Sequence, residues 1–164
     1  CVGAVREQHE RVATRYGTPA LVDGAKTTAK KTLDLPEFLI DIAGVENVGA
    51  FFPHKVTYHP SCHGLRFIKL GDRPYRLLRN VEGIELLELP NKEECCGFGG
   101  LFAVEESEVS ACMGRDKVKD HMSTGAEYIT GADSSCLMHM NGVIEREHYP
   151  IQTIHYLEIL SAQL

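Results

Sequence analysis

The sequence predicts an α/β fold in which a largely parallel sheet of about four strands carries helices on both faces, in a Rossmann-like, three-layer arrangement. Three observations favour this class: short β-prone segments alternate with helical segments, apolar residues recur at helical spacing, and Pro or Gly ends most segments. A chain of 164 residues, 43% of them hydrophobic, is long enough to bury the core of one such domain.

The chain is expected to begin with an amphipathic helix, because apolar and aromatic residues recur at spacings of three and four: Val2, Val5, His9, Val12 and Tyr16. The tripeptide Gly17-Thr18-Pro19 would end this helix. A second, short helix is predicted after Pro36, since proline suits a first helical turn. Three of its side chains are expected to face inward: Phe38, Leu39 and Ile42.

Four β-prone segments follow, each ended by Pro, Gly or a helical segment: residues 55–59, 84–89, 127–130 and 151–154. Helices are predicted around and between them: residues 63–70, 74–80, 104–122, from about 136 onward, and up to about 162. In the long helix four residues are expected to face inward: Val109, Cys112, Met113 and Val118. Ser134 or Ser135 is expected to cap the helix that begins near Cys136.

Composition excludes several classes of function. The chain has 17 Lys and Arg against 23 Asp and Glu, a formal net charge of −6, which argues against sequence-independent nucleic-acid binding because that requires a basic face. The sequence lacks a run of about 18 apolar residues, so we predict no membrane-spanning segment. Sparse cysteines within regular secondary structure favour reduced thiols and a cytoplasmic location over a disulfide framework.

The placement of the cysteines is the strongest indication of function. There are six: Cys1, Cys62, Cys95, Cys96, Cys112 and Cys136. Cys62 follows the first predicted strand, the pair Cys95-Cys96 follows the second, and Cys136 follows the third. Because the carboxyl ends of parallel strands share one edge of a sheet, these three segments are expected to meet there. Cys112 lies on the apolar stripe of its helix and is expected to be in the core.

This convergence predicts a metal site. Thiolates bind metals, and helix starts, where Cys62 and Cys136 fall, lower thiol pKa values. Cys136 and His139 are three residues apart on one helical face, so both side chains can reach one ligand. We predict His139 as a fifth contributor to a metal or cluster held by four cysteines: Cys62, Cys95, Cys96 and Cys136. His59 and His63, which flank Cys62, would donate hydrogen bonds to sulfur.

Two other interpretations stay open. A zinc ion held by three of the cysteines and His139 would make the domain a structural assembly surface without redox activity. A metal-free thiol oxidoreductase would instead use the adjacent Cys95 and Cys96. The segment Gly97-Phe98-Gly99-Gly100 has neither the spacing nor the lysine of a phosphate-binding loop, so nucleotide binding is not favoured.

Three segments resemble those of the cysteine-rich CCG domain family of iron–sulfur oxidoreductase subunits: Tyr58-His59-Pro60-Ser61-Cys62-His63, Glu94-Cys95-Cys96-Gly97-Phe98-Gly99-Gly100 and Gly131-Ala132-Asp133-Ser134-Ser135-Cys136-Leu137-Met138-His139. The resemblance implies an iron–sulfur cluster of the [4Fe–4S] type on the four cysteines named above. It also implies a cytoplasmic electron-transfer subunit that oxidises L-lactate to pyruvate together with other subunits of a lactate-oxidising complex. In the heterodisulfide reductase branch of the family a cysteine stands where this sequence has His139, so the cluster type and the role of His139 stay open.

The resemblance also bears on domain organisation. Members of the family carry two such domains in tandem, so residues 1–164 are expected to form the second, C-terminal CCG domain of a two-repeat protein, of which this chain is a fragment. Residues 1–50 would comprise the end of the preceding repeat and a linker, with Cys1 as the last cysteine of that repeat. A faint internal repeat supports this interpretation through three identities: Thr32 with Thr153, Glu37 with Glu158 and Leu39 with Leu160.

Overall fold

Four parallel strands form the centre of the structure, a computed structural model that describes residues 1–163. The strands are β1 (Lys55–His59), β2 (Glu85–Leu87), β3 (Tyr128–Gly131) and β4 (Gln152–His155), and their order across the sheet is β2-β1-β3-β4. The predicted α/β class and the parallel pairing of the strands are therefore confirmed.

Helices of very different length connect these strands. The α-helices are α1 (His9–Tyr16), α2 (Pro19–Lys31), α3 (Leu35–Glu37), α4 (Arg73–Arg79), α5 (Phe102–Glu105), α6 (Ser107–Ser123), α7 (Ser134–Glu147) and α8 (Tyr156–Ser161). Shorter π-helical segments span Ala4–Gln8, Phe38–Ile42 and His63–Phe67. The helices predicted on either side of β1, between β2 and β3, and after β3 and β4 are all present.

Side chains alternate between the two faces of the sheet, and a separate apolar core covers each face. On one face, Val56 and Tyr58 of β1 are buried with Leu77 and Leu78 of α4 and Ile159 of α8. On the other face, Ile129 of β3 is buried with side chains of α6 and α7: Val118, Leu137, Met140, Val143 and Ile144. This arrangement confirms the predicted three layers.

The chain changes direction across the sheet after β2, because β2 lies on one side of β1 while β3 and β4 lie on the other. The segments that leave β1 and β3 therefore diverge at the carboxyl edge of the sheet, where a crevice is expected to form. His59 and Gly131 end these two strands and are paired in register. The segments that carry Cys62 and Cys136 start at this pair.

The first 31 residues form a helical hairpin that the sequence predicted only in part. The first helix ends at Gly17 as predicted, but α2 follows immediately, because the Thr18 hydroxyl accepts the N–H of Leu21 (3.4 Å) and Pro19 occupies the first turn. Apolar side chains of the hairpin remain on the surface, with Tyr16 exposed by 75%. α2 contains Gly24, Thr27 and Thr28, which are weak helix formers, and its sequence therefore did not predict a helix.

The segment after Pro36 differs from its prediction in the direction of two side chains. Leu39 packs against the core as expected, but Phe38 and Ile42 are 47% and 65% exposed. The cause is the π-helical geometry of Phe38–Ile42, in which the turn is wider than in an α-helix and the inward positions shift. Within residues 1–163, helices long and apolar enough to cross a bilayer are absent.

The two-core arrangement predicts unequal effects for two leucines. Leu77 is fully buried, so Leu77→Ala is expected to lower the free energy of unfolding by about 2–5 kcal/mol, the usual result of removing packed methyl groups. Leu157 is 40% exposed, and Leu157→Ala is the matched control, with an expected change of about 1 kcal/mol or less. Denaturant unfolding measures both values, and equal losses would contradict the described packing.

Candidate metal centre

Cys62 lies just beyond β1, at the start of the π-helical segment that follows it. Ser61 adopts a left-handed backbone conformation (φ 57°), and its hydroxyl accepts the N–H of Gly64 at 3.1 Å, so the chain turns sharply out of the strand. Cys62 is exposed, and Arg66 donates one N–H to the Cys62 sulfur at 3.4 Å and another to the carbonyl of Glu93 at 2.8 Å. Arg66 therefore joins Cys62 to the loop that precedes the cysteine pair.

The adjacent cysteines lie in a loop whose shape depends on Gly97. This residue has a φ of 90°, and a Cβ atom there would lie 2.6 Å from the carbonyl oxygen of Ser110. The Ser110 hydroxyl donates to the Gly97 carbonyl at 2.8 Å and holds the loop against α6. The Gly97 N–H donates to the Cys95 sulfur at 3.3 Å. Only glycine allows the backbone to approach the helix this closely.

Cys136 lies in the first turn of α7, near the carboxyl end of β3. The cap of this helix is Asp133, whose carboxylate accepts the backbone N–H of Ser135 at 3.0 Å. The predicted caps, Ser134 and Ser135, are therefore wrong, and the Ser135 hydroxyl instead donates to Asp133 at 2.5 Å. The extended backbone of Asp133 leaves its side chain free to reach the first turn.

Three donor side chains meet where these segments converge. The ligand atoms of His59, Cys96 and Cys136 all lie within 4.8 Å of one another. His59 is only 2% exposed, and neither of its ring nitrogens has a hydrogen-bond partner within the described residues. A buried imidazole without partners is costly unless a ligand or a proton donor satisfies it. His59 therefore lies at the centre of the site, whereas its sequence position beside Cys62 predicted only a supporting role.

The remaining two cysteines form a second thiol pair beside this group. Burial raises the pKa of Cys95, against a hydrogen bond from the Gly97 N–H, and the neighbouring thiols of Cys62 and Cys96 raise it further. Cys95 thus has Cys62 as its thiol neighbour, while Cys96 has Cys136. The two adjacent cysteines therefore face different partners, and a single ligand held by all four cysteines stays a prediction.

Burial and mutual contact shift the pKa values of Cys96 and Cys136 in opposite directions. A hydrogen bond from the Cys136 thiol lowers the pKa of Cys96 to about 4, against the effect of burial, and the N–H of Phe98 assists. The pKa of Cys136 is raised by the same contact and by burial of its side chain. The lowered pKa of Cys96 favours its thiolate form, which is the form that binds a metal cation.

His139, the predicted fifth contributor, lies apart from this group. Its Nε2 atom is 3.2 Å from the Ser110 carbonyl oxygen, and the ring packs so closely on Gly114 that a Cβ there would lie 2.8 Å from Nε2. Within residues 1–163, the three-donor group does not include His139. A direct role of His139 at a metal stays a prediction.

Cys112 is not a core residue, and that prediction is wrong: its side chain is exposed on α6. Val109 is likewise exposed, by 51%, although it was expected to face inward. The buried side of α6 is composed largely of small and polar residues: Ser110, Gly114, Lys117, Val118 and His121. A pattern based on apolar residues therefore assigned the wrong side of the helix.

The residues fit a metal centre in number and in chemistry. Two thiols and one imidazole meet at the edge where parallel α/β sheets bind ligands, a second thiol pair lies beside them, and the pKa of Cys96 is lowered. Cysteine and histidine are the donors that zinc and iron–sulfur clusters use. Fold and site together define a thiol-rich α/β domain with a His/Cys/Cys group that could bind a metal.

Comparison with known proteins assigns this domain to a family. Residues 56–141 match the family described as the cysteine-rich domain CCG, and the chain belongs to it. The chain is also similar to several curated proteins named Lactate utilization protein A. It is 42% identical over 147 residues to the protein of Lysinibacillus sphaericus, a match that covers 90% of this chain and 64% of the relative.

A second relative named Lactate utilization protein A, from Oceanobacillus iheyensis, is 40% identical over 161 residues, which cover 98% of this chain and 65% of the relative. The chain thus spans less than two thirds of the length of these relatives. The family predicted from the three cysteine-bearing segments is confirmed.

The close approach of the cysteine loop to α6 predicts a difference between two glycines. Gly97→Ala introduces an alanine in a left-handed conformation and brings its Cβ to 2.6 Å from the Ser110 carbonyl oxygen. We therefore expect a loss of about 2–4 kcal/mol in the free energy of unfolding. Gly100→Ala is the control, since its φ is 62° and its Cβ would have open space, with an expected loss of about 1 kcal/mol. Urea unfolding measures both, and similar losses would contradict the assigned role of Gly97.

Proposed function

We propose that this domain is an electron-transfer module of an iron–sulfur oxidoreductase that takes part in lactate utilisation and oxidises L-lactate to pyruvate. The observation that carries the proposal is the convergence of four thiols from three segments of the chain on one sheet edge: Cys62, Cys95, Cys96 and Cys136. Membership of the cysteine-rich CCG family supports a function based on the cysteines, and the names of the relatives support a part in lactate utilisation.

The four cysteines would hold the cluster, and the surrounding protein would balance its negative charge. Oxidation of L-lactate to pyruvate releases two electrons and two protons, and a bound cluster would relay the electrons one at a time to partner subunits that carry further redox centres. Among the residues of this chain, Arg66 has its guanidinium against the Cys62 sulfur, where it offsets the negative charge of a thiolate.

Backbone N–H groups act on the inner sulfurs in the same way. The N–H of Gly97 donates to Cys95, and the N–H of Phe98 lies against Cys96. Such hydrogen bonds stabilise the more negative, reduced state of a sulfur-ligated centre and raise its reduction potential. Burial of Cys96 limits the access of water and oxygen to this side of the site, whereas the exposed Cys62 marks the side that a redox partner can approach.

A structural zinc site is the second candidate, and one observation favours it. The donor atoms of His59, Cys96 and Cys136 are compact enough, within 4.8 Å, for a single tetrahedral ion, and one thiol of the outer pair can supply the fourth donor. In that case the domain would be an assembly surface without redox activity, and removal of zinc would destabilise the fold.

The iron–sulfur proposal predicts a cluster that depends on Cys136 and not on Cys112. Protein purified and reconstituted without oxygen should contain iron and sulfide and show a broad visible band from thiolate-to-iron charge transfer. Cys136→Ser should lose most of the iron and the band, because an inner ligand is removed. Cys112→Ser, on the exposed face of α6, is the matched control and should keep both.

Metal analysis of the same samples distinguishes the two candidates. Stoichiometric zinc in a colourless protein that takes up no iron and sulfide would contradict the redox proposal and support the structural site. Full retention of iron in Cys136→Ser would show that Cys136 does not hold the cluster, and equal loss in both serine variants would show that the loss is not specific to the proposed site.

The zinc alternative carries its own expected result. If zinc is the resident metal, a strong chelator should lower the unfolding temperature of the protein markedly, because bound structural metal contributes its binding free energy to the folded state. Circular dichroism during heating measures this shift. An unfolding temperature that does not respond to the chelator would exclude a structural zinc.

A further inference from the structure

A line of buried polar side chains extends from the metal centre into the core beneath β1. Thr57 and His59 are two residues apart on this strand, so both point to the face that α6 covers. Opposite them on α6 is His121. All three side chains are almost completely buried, with 0% exposure for Thr57 and His121 and 2% for His59. Polar side chains are mostly exposed in proteins, so a fully buried set of them is unusual.

Hydrogen bonds orient the inner part of this line. The Nδ1 atom of His121 lies 2.7 Å from the Thr57 hydroxyl oxygen, and that hydroxyl is also 3.5 Å from the carbonyl oxygen of Tyr128. Because the carbonyl can only accept, a Thr57 proton directed to it leaves the hydroxyl oxygen to accept an Nδ1–H of His121. His121 is fully buried and its ring bonds to a neutral hydroxyl, an environment that favours the uncharged ring. Its Nε2 atom is then a hydrogen-bond acceptor.

The two histidines meet edge to face. Their ring centroids are 5.9 Å apart with an interplanar angle of 65°. Within residues 1–163, the Nε2 atom of His121 and both ring nitrogens of His59 lack hydrogen-bond partners. An acceptor on His121 thus adjoins a histidine whose N–H lacks an acceptor.

We propose that His121, held by Thr57, is a positioning residue that accepts the N–H of His59 and thereby turns the lone pair of the other His59 nitrogen toward Cys96 and Cys136. The inference rests on the proposed metal-binding function, because its consequence is that His59 completes the donor set of a bound metal. Histidine ligands of metals commonly donate their second N–H to a fixed acceptor, which sets the tautomer and the ring orientation.

The first arm of the test uses metal-free protein. Long-range ¹H–¹⁵N NMR of the imidazole groups should show one neutral tautomer of His59 in the wild type. In His121→Phe, which keeps a ring of similar size without an acceptor, the signals should broaden or show both tautomers. His121→Gln, whose amide oxygen can accept, should restore a single tautomer at least in part.

The second arm measures binding of Co²⁺ in the absence of oxygen, in competition with a chelator. We expect His121→Phe to weaken Co²⁺ binding by about 10–100-fold, and Thr57→Val to weaken it less. Val118→Ala is the matched control, since Val118 is 0% exposed on the same helix but carries no polar group. It should lower stability while Co²⁺ affinity stays within about threefold, because His121 would act on the metal only through its hydrogen bond to His59.

The outcomes separate this inference from the function on which it rests. An unchanged His59 tautomer and unchanged Co²⁺ affinity in His121→Phe would overturn the positioning role. Equal loss of affinity in His121→Phe and Val118→Ala would also overturn it, since the effect would then be one of stability alone. If the tautomer changes but the wild type binds neither Co²⁺ nor iron, the positioning role stands and the proposed metal function fails.

Discussion

Backbone hydrogen bonds between β1 and β3 align His59 with Gly131, and this register brings the segments after the two strands to the same sheet edge. Cys62 follows one strand and Cys136 follows the other, although 74 residues separate them along the chain. The pair Cys95-Cys96 arrives from β2, the neighbour of β1 on its other side. The site therefore depends on parallel pairing, because an antiparallel partner would carry its following loop to the opposite edge.

Neighbouring thiolates repel one another, and the groups around the cysteines reduce this repulsion. The pKa of Cys96 is lowered and that of Cys136 is raised, so Cys96 ionises more easily than its neighbour. The Gly97 N–H and the guanidinium of Arg66 interact with the outer pair. A bound cation would relieve the remaining repulsion, which is why this arrangement favours metal binding over a metal-free thiol site.

The sequence was sufficient to predict the strands and the positions of the cysteines relative to them, because both follow from short segments of the chain. Strand order along the chain, together with cysteines just beyond three strands, was sufficient to place the four thiols at one edge. Side-chain direction on α6 was not predictable in this way, because that helix buries Lys117 and His121 and exposes Val109 and Cys112. Its buried side chains are largely polar, and a pattern based on apolar residues cannot detect them.

The role of His59 was underestimated for a related reason. Its position on the inner face of β1 follows from strand alternation, but its closeness to Cys96 depends on how the Gly97 loop packs against α6.

X-ray absorption at the iron and zinc edges of protein purified without oxygen shows which metal the sheet edge holds. If the four cysteines hold an iron–sulfur cluster, the spectra should show iron with sulfur neighbours and iron–iron scattering. A single zinc shell of sulfur and nitrogen without iron would instead exclude the cluster.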